Sequence, residues 1–162
     1  MAAAEMKPYE KLIDHWQAEG LSLAPGASKR ALREFETKHK VVLPADFREY
    51  LSYANGMAQV SGHDCDAKGF SFWPLSRITT VSEECKRSKV EIPAVDDIDH
   101  YFAFSDYMQW SWAYAICLLP AREGMILQFG VRSPRIIAGS FTEFVDDYII
   151  DSEKLYLPRV PQ

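Results

Sequence analysis

The sequence predicts a mixed fold in which helices and strands are segregated along the chain. Three observations carry that prediction. Apolar residues repeat at helical spacing in three segments before residue 56, and four successive strand-length runs fill residues 101–139. A capped amphipathic segment then follows, ahead of the C-terminal residues. A chain of 162 residues is most simply one domain, 1–162. At that size about two-thirds of the unfolded surface is buried on folding, so neither disulfides nor a metal is required for stability.

The first helix is expected over residues 9–18. Pro8 precedes it and Gly20 follows it, while Tyr9, Leu12, Ile13 and Trp16 share one face. "LAPGA" reads as a loop. Ser28 can cap a second helix, with Ala31, Leu32 and Phe35 inside and Lys29, Arg30, Arg33, Lys38 and Lys40 outside. Glu34 and Glu36 dilute that basic side, which reads as a solvated face rather than an anion site. In "VVLPADFREYLSYANG", Pro44 suits a first helical turn because its missing N–H costs nothing there. Asp46 complements the helix dipole, Phe47, Tyr50, Leu51 and Ala54 form the inner face, and Asn55-Gly56 supplies a left-handed stop.

After Gly56 the period changes. Residues 57–60 and 70–73 read as strands around the loop "SGHDCDAKG". Residues 78–88 read as a helix, weakened by Thr79, Thr80 and Val81. A loop with Pro93 and the acids Asp96, Asp97 and Asp99 leads to "YFAFSDY", "WSWAYAICLL", "MILQFG" and "RIIAG", four strands. In the second of these, Trp110, Trp112, Tyr114, Ile116 and Leu118 alternate with Ser111, Ala113, Ala115 and Cys117. One face is large, the other small, and both are apolar enough for a strand covered on both sides. Each tryptophan reads either as core or as an anchor for a partner. Ser140 and Glu143 form a capping box ahead of Phe141, Phe144, Val145, Tyr148 and Ile149.

Charge narrows the function. Residues 1–90 carry 13 Lys+Arg against 12 Asp+Glu, and residues 91–162 carry 5 against 11, so the whole excess of −5 lies in the second half. Direct binding of nucleic acid needs a basic surface and is not expected. An acidic half suits a basic protein partner, and it also simply promotes solubility. Cys65, Cys85 and Cys117 are odd in number and far apart, which fits a reducing compartment rather than a disulfide framework. No signal peptide is read at the N-terminus, and the longest apolar run, residues 110–120, is too short to span a bilayer. A cytoplasmic protein that does not engage a membrane is expected.

Chemistry is sparse. "HDCD", residues 63–66, places four ligand types in a row, but neighbours on an extended segment point opposite ways and no second cluster completes a site. No metal or cofactor is expected. His15, His39 and His100 are isolated in sequence and read as surface residues. The signatures of serine hydrolases, P-loops, dinucleotide folds and zinc proteases are missing from the sequence, and Asp96/Asp97 and Asp146/Asp147 read as solvated neighbours. The expectation is a protein that is not an enzyme and has no catalytic residues.

The order "ASKRALREFETKHKVVLPADFREYLSYANG", "FWPL", "FAFSDYMQWSWAYAICL", "SFTEFVDDYI" resembles the SUKH superfamily, which joins a fungal cell-wall-assembly regulator to many bacterial immunity proteins. The likeness covers about residues 8–150, and its most specific parts are Leu43-Pro44 with Asn55-Gly56, and Asp106-Tyr107. The resemblance implies an α+β domain with a mostly antiparallel sheet of about six strands flanked by helices. It implies an immunity partner that binds a toxin domain, often a nuclease or deaminase of a polymorphic toxin system, and occludes its active surface. The alternative it leaves is a general interaction module of the cell-wall-regulator type, not tied to a toxin. Such families often carry a glycine-rich turn before the central strand, where this chain has residues 108–112, "MQWSW". On this reading the partner contacts are Asp64 and Asp66, Asp96, Asp97 and Asp99, and Asp106, Tyr107 and Trp110. The acids would steer encounter, and the two aromatics would anchor. Oligomeric state and toxin identity are left open.

Overall fold

Five helices and a six-stranded antiparallel sheet form an α+β fold in the computed structural model, which describes residues 4–57 and 65–158. Helices α1 (Pro8–Ala18), α2 (Lys29–His39) and α3 (Ala45–Tyr53) precede β1 (Phe70–Phe72). Strand β2 (Thr79–Thr80) runs straight into α4 (Val81–Ser88). Strands β3 (Tyr101–Tyr107), β4 (Trp112–Cys117), β5 (Ile126–Phe129) and β6 (Arg135–Ala138) follow, and α5 (Phe141–Ile149) packs back over them. The sheet runs β1-β3-β4-β5-β6, with β2 beside β1 on the same edge of β3. No helix among the described residues is long and apolar enough to cross a membrane.

The expected punctuation is largely present. Ser28 Oγ accepts from the Ala31 N–H at 3.0 Å, and Lys40 closes α2 in the left-handed conformation. Pro44 sits at the N-cap of α3 rather than inside its first turn. Asp46 does more than complement a dipole. It accepts from the Thr142 N–H at 2.9 Å and hydroxyl at 2.8 Å, tying the start of α3 to α5. Gly56 is left-handed at φ +73°, but α3 has already ended at Tyr53. A β-carbon there would come within 2.6 Å of the Trp73 backbone, so close approach of β1 sets the need for glycine. Asn55 Oδ1 accepts from the Leu75 N–H at 2.7 Å beside it. Ser140 Oγ caps α5 at 3.0 Å as expected, while Glu143 reaches past the cap to the Gly139 N–H at 2.8 Å.

Two element readings change. Thr79 and Thr80 are not helical: they pair with Ala103 and Phe102 of β3, and Thr80 caps the shorter α4 at 3.2 Å. Two β-branched residues suit a pleated edge better than a helix interior. The strand expected at 57–60 contributes only Met57, bridged to Leu23; residues 58–60 lie outside the described residues.

The sheet is covered on both faces, unequally. On the first face Phe72, Phe102, Phe104, Tyr114, Ile116 and Ile126 pack against the apolar sides of α1, α2, α3 and α5. Phe47, Phe104 and Phe141 meet there edge-on at centroid distances of 5.1–6.0 Å. Each such ring, buried, contributes about 1.5–3 kcal/mol. On the second face Ala103, Ala113, Ala115 and Cys117 present the small stripe read from the sequence. That stripe lets Val81 and Cys85 of α4 settle directly on the strands. Beyond α4, the second face is closed by irregular chain through Val95 and Ile98.

Candidate partner-binding site

A bulge in β3 organises the second face. The register against β4 shifts between Ala103 and Ser105, which moves the following side chains across the sheet. Phe104 therefore points into the first core, whereas Asp106 points to the second face and Tyr107 back to the first. Asp106 is 6% exposed and Glu84, on α4, is fully buried. Around them stand Trp73, Trp110, Arg77 and Arg87.

The contacts form one connected set. The Trp73 indole donates to Asp106 Oδ2 at 2.7 Å, and the Trp110 N–H donates to Oδ1 at 3.1 Å. The Trp110 indole donates to Glu84 Oε1 at 2.9 Å, a site shared with Arg87 at 3.0 Å. Arg77 lies 3.8 Å from both carboxylates and 3.8 Å over the Trp73 ring centroid, so it bridges the acids while stacking on indole. Two guanidinium groups balance two carboxylates. Burial raises the Asp106 pKa above its ordinary value, against the pull of the Trp73 and Trp110 donors and Arg77. Burial likewise lowers that of Arg77. Glu84 Oε2 is buried without a hydrogen-bond partner, which makes the donors on Oε1 costly to remove.

This network holds a strained hairpin. Between β3 and β4, Met108, Gln109 and Trp110 are all left-handed, with φ of 49°, 53° and 66°. For side-chain-bearing residues that conformation costs about 1–2 kcal/mol each. It falls where the resemblance leads one to expect glycine. The Met108 N–H donates to Gly69 O at 2.8 Å, and the Ser111 N–H to Tyr107 O at 2.8 Å. The Trp110 ring lies over Gly130, where a β-carbon would come within 2.7 Å, and meets Phe129 edge-on at 5.7 Å.

The hairpin corrects the reading of Trp110. The alternation seen in the sequence begins only at Trp112, and Trp110 and Ser111 belong to the turn. Trp112 packs on the first face, stacked on Tyr107 at 4.4 Å, while Trp110 turns over onto the second. The two proposed anchors, Tyr107 and Trp110, thus lie on opposite faces.

The acids also separate. Asp96, Asp97 and Asp99 are exposed on the loop that covers the second face. Asp99 accepts from Ser82 of α4 at 2.8 Å, within one turn of Glu84, and Asp97 pairs with Arg122 at 3.3 Å. Next to them, residues 90–94 and 130–134 border an open cleft of about 400 Å³, with Val90 and Ile92 exposed at its rim. Gly130 joins this cleft to the Trp110 ring. Asp66, by contrast, is 4% exposed on the far side of the sheet, where it accepts from the Lys68 and Phe70 N–H groups, each at 2.9 Å. Asp64 lies outside the described residues. The structure therefore gathers Asp96, Asp97, Asp99 and Trp110 on one side, with Asp106 beneath as a buried support. Arg77, Glu84 and Trp73 were not singled out in the sequence; α4 and β3 bring them together only in the fold.

The sequence pattern of the SMI1 / KNR4 family (SUKH-1) matches residues 26–147, from just before α2 into α5. No curated protein matches the chain.

Proposed function

The chain belongs to the SMI1 / KNR4 family (SUKH-1), and from that premise we propose that it is a non-catalytic immunity protein that neutralises a bacterial toxin domain by covering its active surface. The observation that carries this reading is the pairing of an exposed acidic loop, Asp96, Asp97 and Asp99, with a strained hairpin and a mixed polar and apolar cleft that exposes Val90 and Ile92, on one face. A nuclease or a nucleic-acid deaminase offers a basic substrate groove, and a projecting run of carboxylates complements it. The acids would speed encounter. Val90, Ile92 and the exposed edge of Trp110 would supply apolar contact once water is excluded. Neutralisation would take place in the cytoplasm of the producing cell or its kin.

The test is co-expression with the C-terminal toxic domain of a large secreted protein encoded beside this chain. Survival that depends on this chain, with a stable complex of the two purified proteins, supports the reading. Cell death regardless of this chain, or the lack of any such neighbouring protein, overturns it in favour of a general interaction module.

A further inference from the structure

A second polar cluster lies on the first face, away from the acidic loop. His15 and Glu19 sit four residues apart on and just beyond α1, so their side chains project from one side of the helix. Asp66 reaches them from the segment that enters β1. One ring nitrogen and two carboxylate oxygens lie within 4.8 Å of one another. His15 Nε2 is 3.2 Å from Glu19 Oε1. Neighbouring ligand atoms around a tetrahedral zinc ion, with bonds of about 2.0–2.1 Å, stand about 3.3 Å apart. That edge of a coordination shell is therefore already at the right length.

The surroundings orient each donor. Asp66 Oδ1 accepts from two backbone N–H groups, and Oδ2 accepts from the Tyr148 hydroxyl at 2.5 Å. A carboxylate has about four acceptor positions, so one remains on Asp66. The Trp16 indole in turn donates to Tyr148 Oη at 3.1 Å. Glu19 Oε2 is tied to the Ala67 N–H at 3.1 Å, which leaves Oε1 facing His15. The imidazole stands edge-on to the Tyr148 ring, with centroids 5.3 Å apart. Such outer-layer partners fix ligand direction in metal sites. Two carboxylates balance a divalent charge, and the imidazole favours zinc-like ions over magnesium or calcium. His15 and Glu19 keep a quarter and a fifth of their side-chain surface open, so an ion has a path in.

We propose that His15, Glu19 and Asp66 bind a divalent transition cation of the zinc type, which clamps α1 to the chain entering β1. The site is independent of the partner-binding reading.

The experiment titrates Zn²⁺ into tag-free, chelator-stripped full chain by calorimetry, with Mg²⁺ as the control, and follows the melting temperature. The expected result is one Zn²⁺ per chain, a raised melting temperature and no response to Mg²⁺. Co²⁺ in the same site should show visible absorption bands of a low-coordinate complex. His15→Gln and Glu19→Gln should each weaken Zn²⁺ binding by at least about 100-fold, since even outer-layer changes cost about 10–100-fold. Both variants should melt close to the wild type without zinc, because the His15–Glu19 pair is partly exposed and its loss costs little. Absence of saturable Zn²⁺ binding overturns the proposal. So does wild-type affinity in both variants, which would place the ion elsewhere on the chain.

Discussion

Replacing Trp110 by Phe removes one buried hydrogen bond from the network beneath the acidic loop, together with the outer indole carbons, a ring loss that Trp112→Phe shares. The phenyl ring can keep the edge-on contact with Phe129, but it lacks the outer indole carbons that lie over Gly130 and it cannot donate to Glu84. Glu84 is fully buried and its Oε2 already lacks a partner, so water cannot readily replace the indole. A hydrogen bond to a charged, buried acceptor contributes about 1.5–3 kcal/mol. Trp112→Phe is the control on the other face. It removes a neutral bond, indole to the Tyr114 hydroxyl at 2.8 Å, and that hydroxyl still donates to Leu155 O. A neutral bond is worth about 0.5–1.5 kcal/mol. Trp110→Phe should therefore cost about 1 kcal/mol more than Trp112→Phe. For a chain of this size each kcal/mol lowers Tm by about 2–4 °C. Urea unfolding followed by far-ultraviolet circular dichroism avoids the altered tryptophan fluorescence. Equal losses, or a larger loss for Trp112→Phe, would refute the assignment of a charge-assisted lock at Trp110.

Two further outcomes follow from the same geometry. Gly130→Ala places a methyl group within 2.7 Å of the Trp110 ring at φ +81°, and should destabilise by about 1–2 kcal/mol from backbone strain alone. In a Trp110→Ala background the steric part should disappear, a non-additivity that a double-mutant cycle reads directly. The pH dependence should differ in sign between two acids. Burial raises the Asp106 pKa, so the folded state holds that proton more tightly and the stability contribution of Asp106 falls as pH rises through its folded pKa. The Gly139 N–H and then Lys154 lower the Glu143 pKa, so the contribution of Glu143 is present at neutral pH and is lost as pH falls through its folded pKa. Between about pH 7 and pH 2.5, the advantage of wild type over Asp106→Asn should shrink as pH rises above 3.8, and its advantage over Glu143→Gln should shrink as pH falls below 4.5. Parallel urea titrations across that range check both slopes.

Much of the fold could be read along the chain because its signals are local. The faces of α1, α2, α3 and α5 follow helical spacing, and Ser28 and Ser140 cap where their hydroxyls suggest. The small stripe of β4 was equally plain, since Ala113, Ala115 and Cys117 alternate with Tyr114 and Ile116. The pattern misleads where it runs past the end of its element. Trp110 continues the alternation in sequence, yet three left-handed residues turn it onto the other face. Thr79 and Thr80 were drawn into a helix by their neighbours, although β3 offered them partners.

The candidate sites were less legible because they depend on partners distant in sequence. An aspartate looks the same in a string whether it is solvated, as Asp96 is, or buried against an indole, as Asp106 is. The bulge in β3 that swings Asp106 inward has no signature in "YFAFSDY". In sequence Asp66 stands with its immediate neighbours in "HDCD", whereas its companions in the fold are His15 and Glu19.

The most direct measurement is affinity for the toxin domain encoded beside this chain, compared between wild type and Asp96→Lys/Asp97→Lys/Asp99→Lys. Asp14→Lys, altered on the exposed side of α1 in the opposite layer, serves as the control. The account predicts a slower association and a loss of protection for the triple variant, an unchanged fold, and wild-type behaviour for the control. Full protection by the triple variant, or an equal loss in the control, would contradict it.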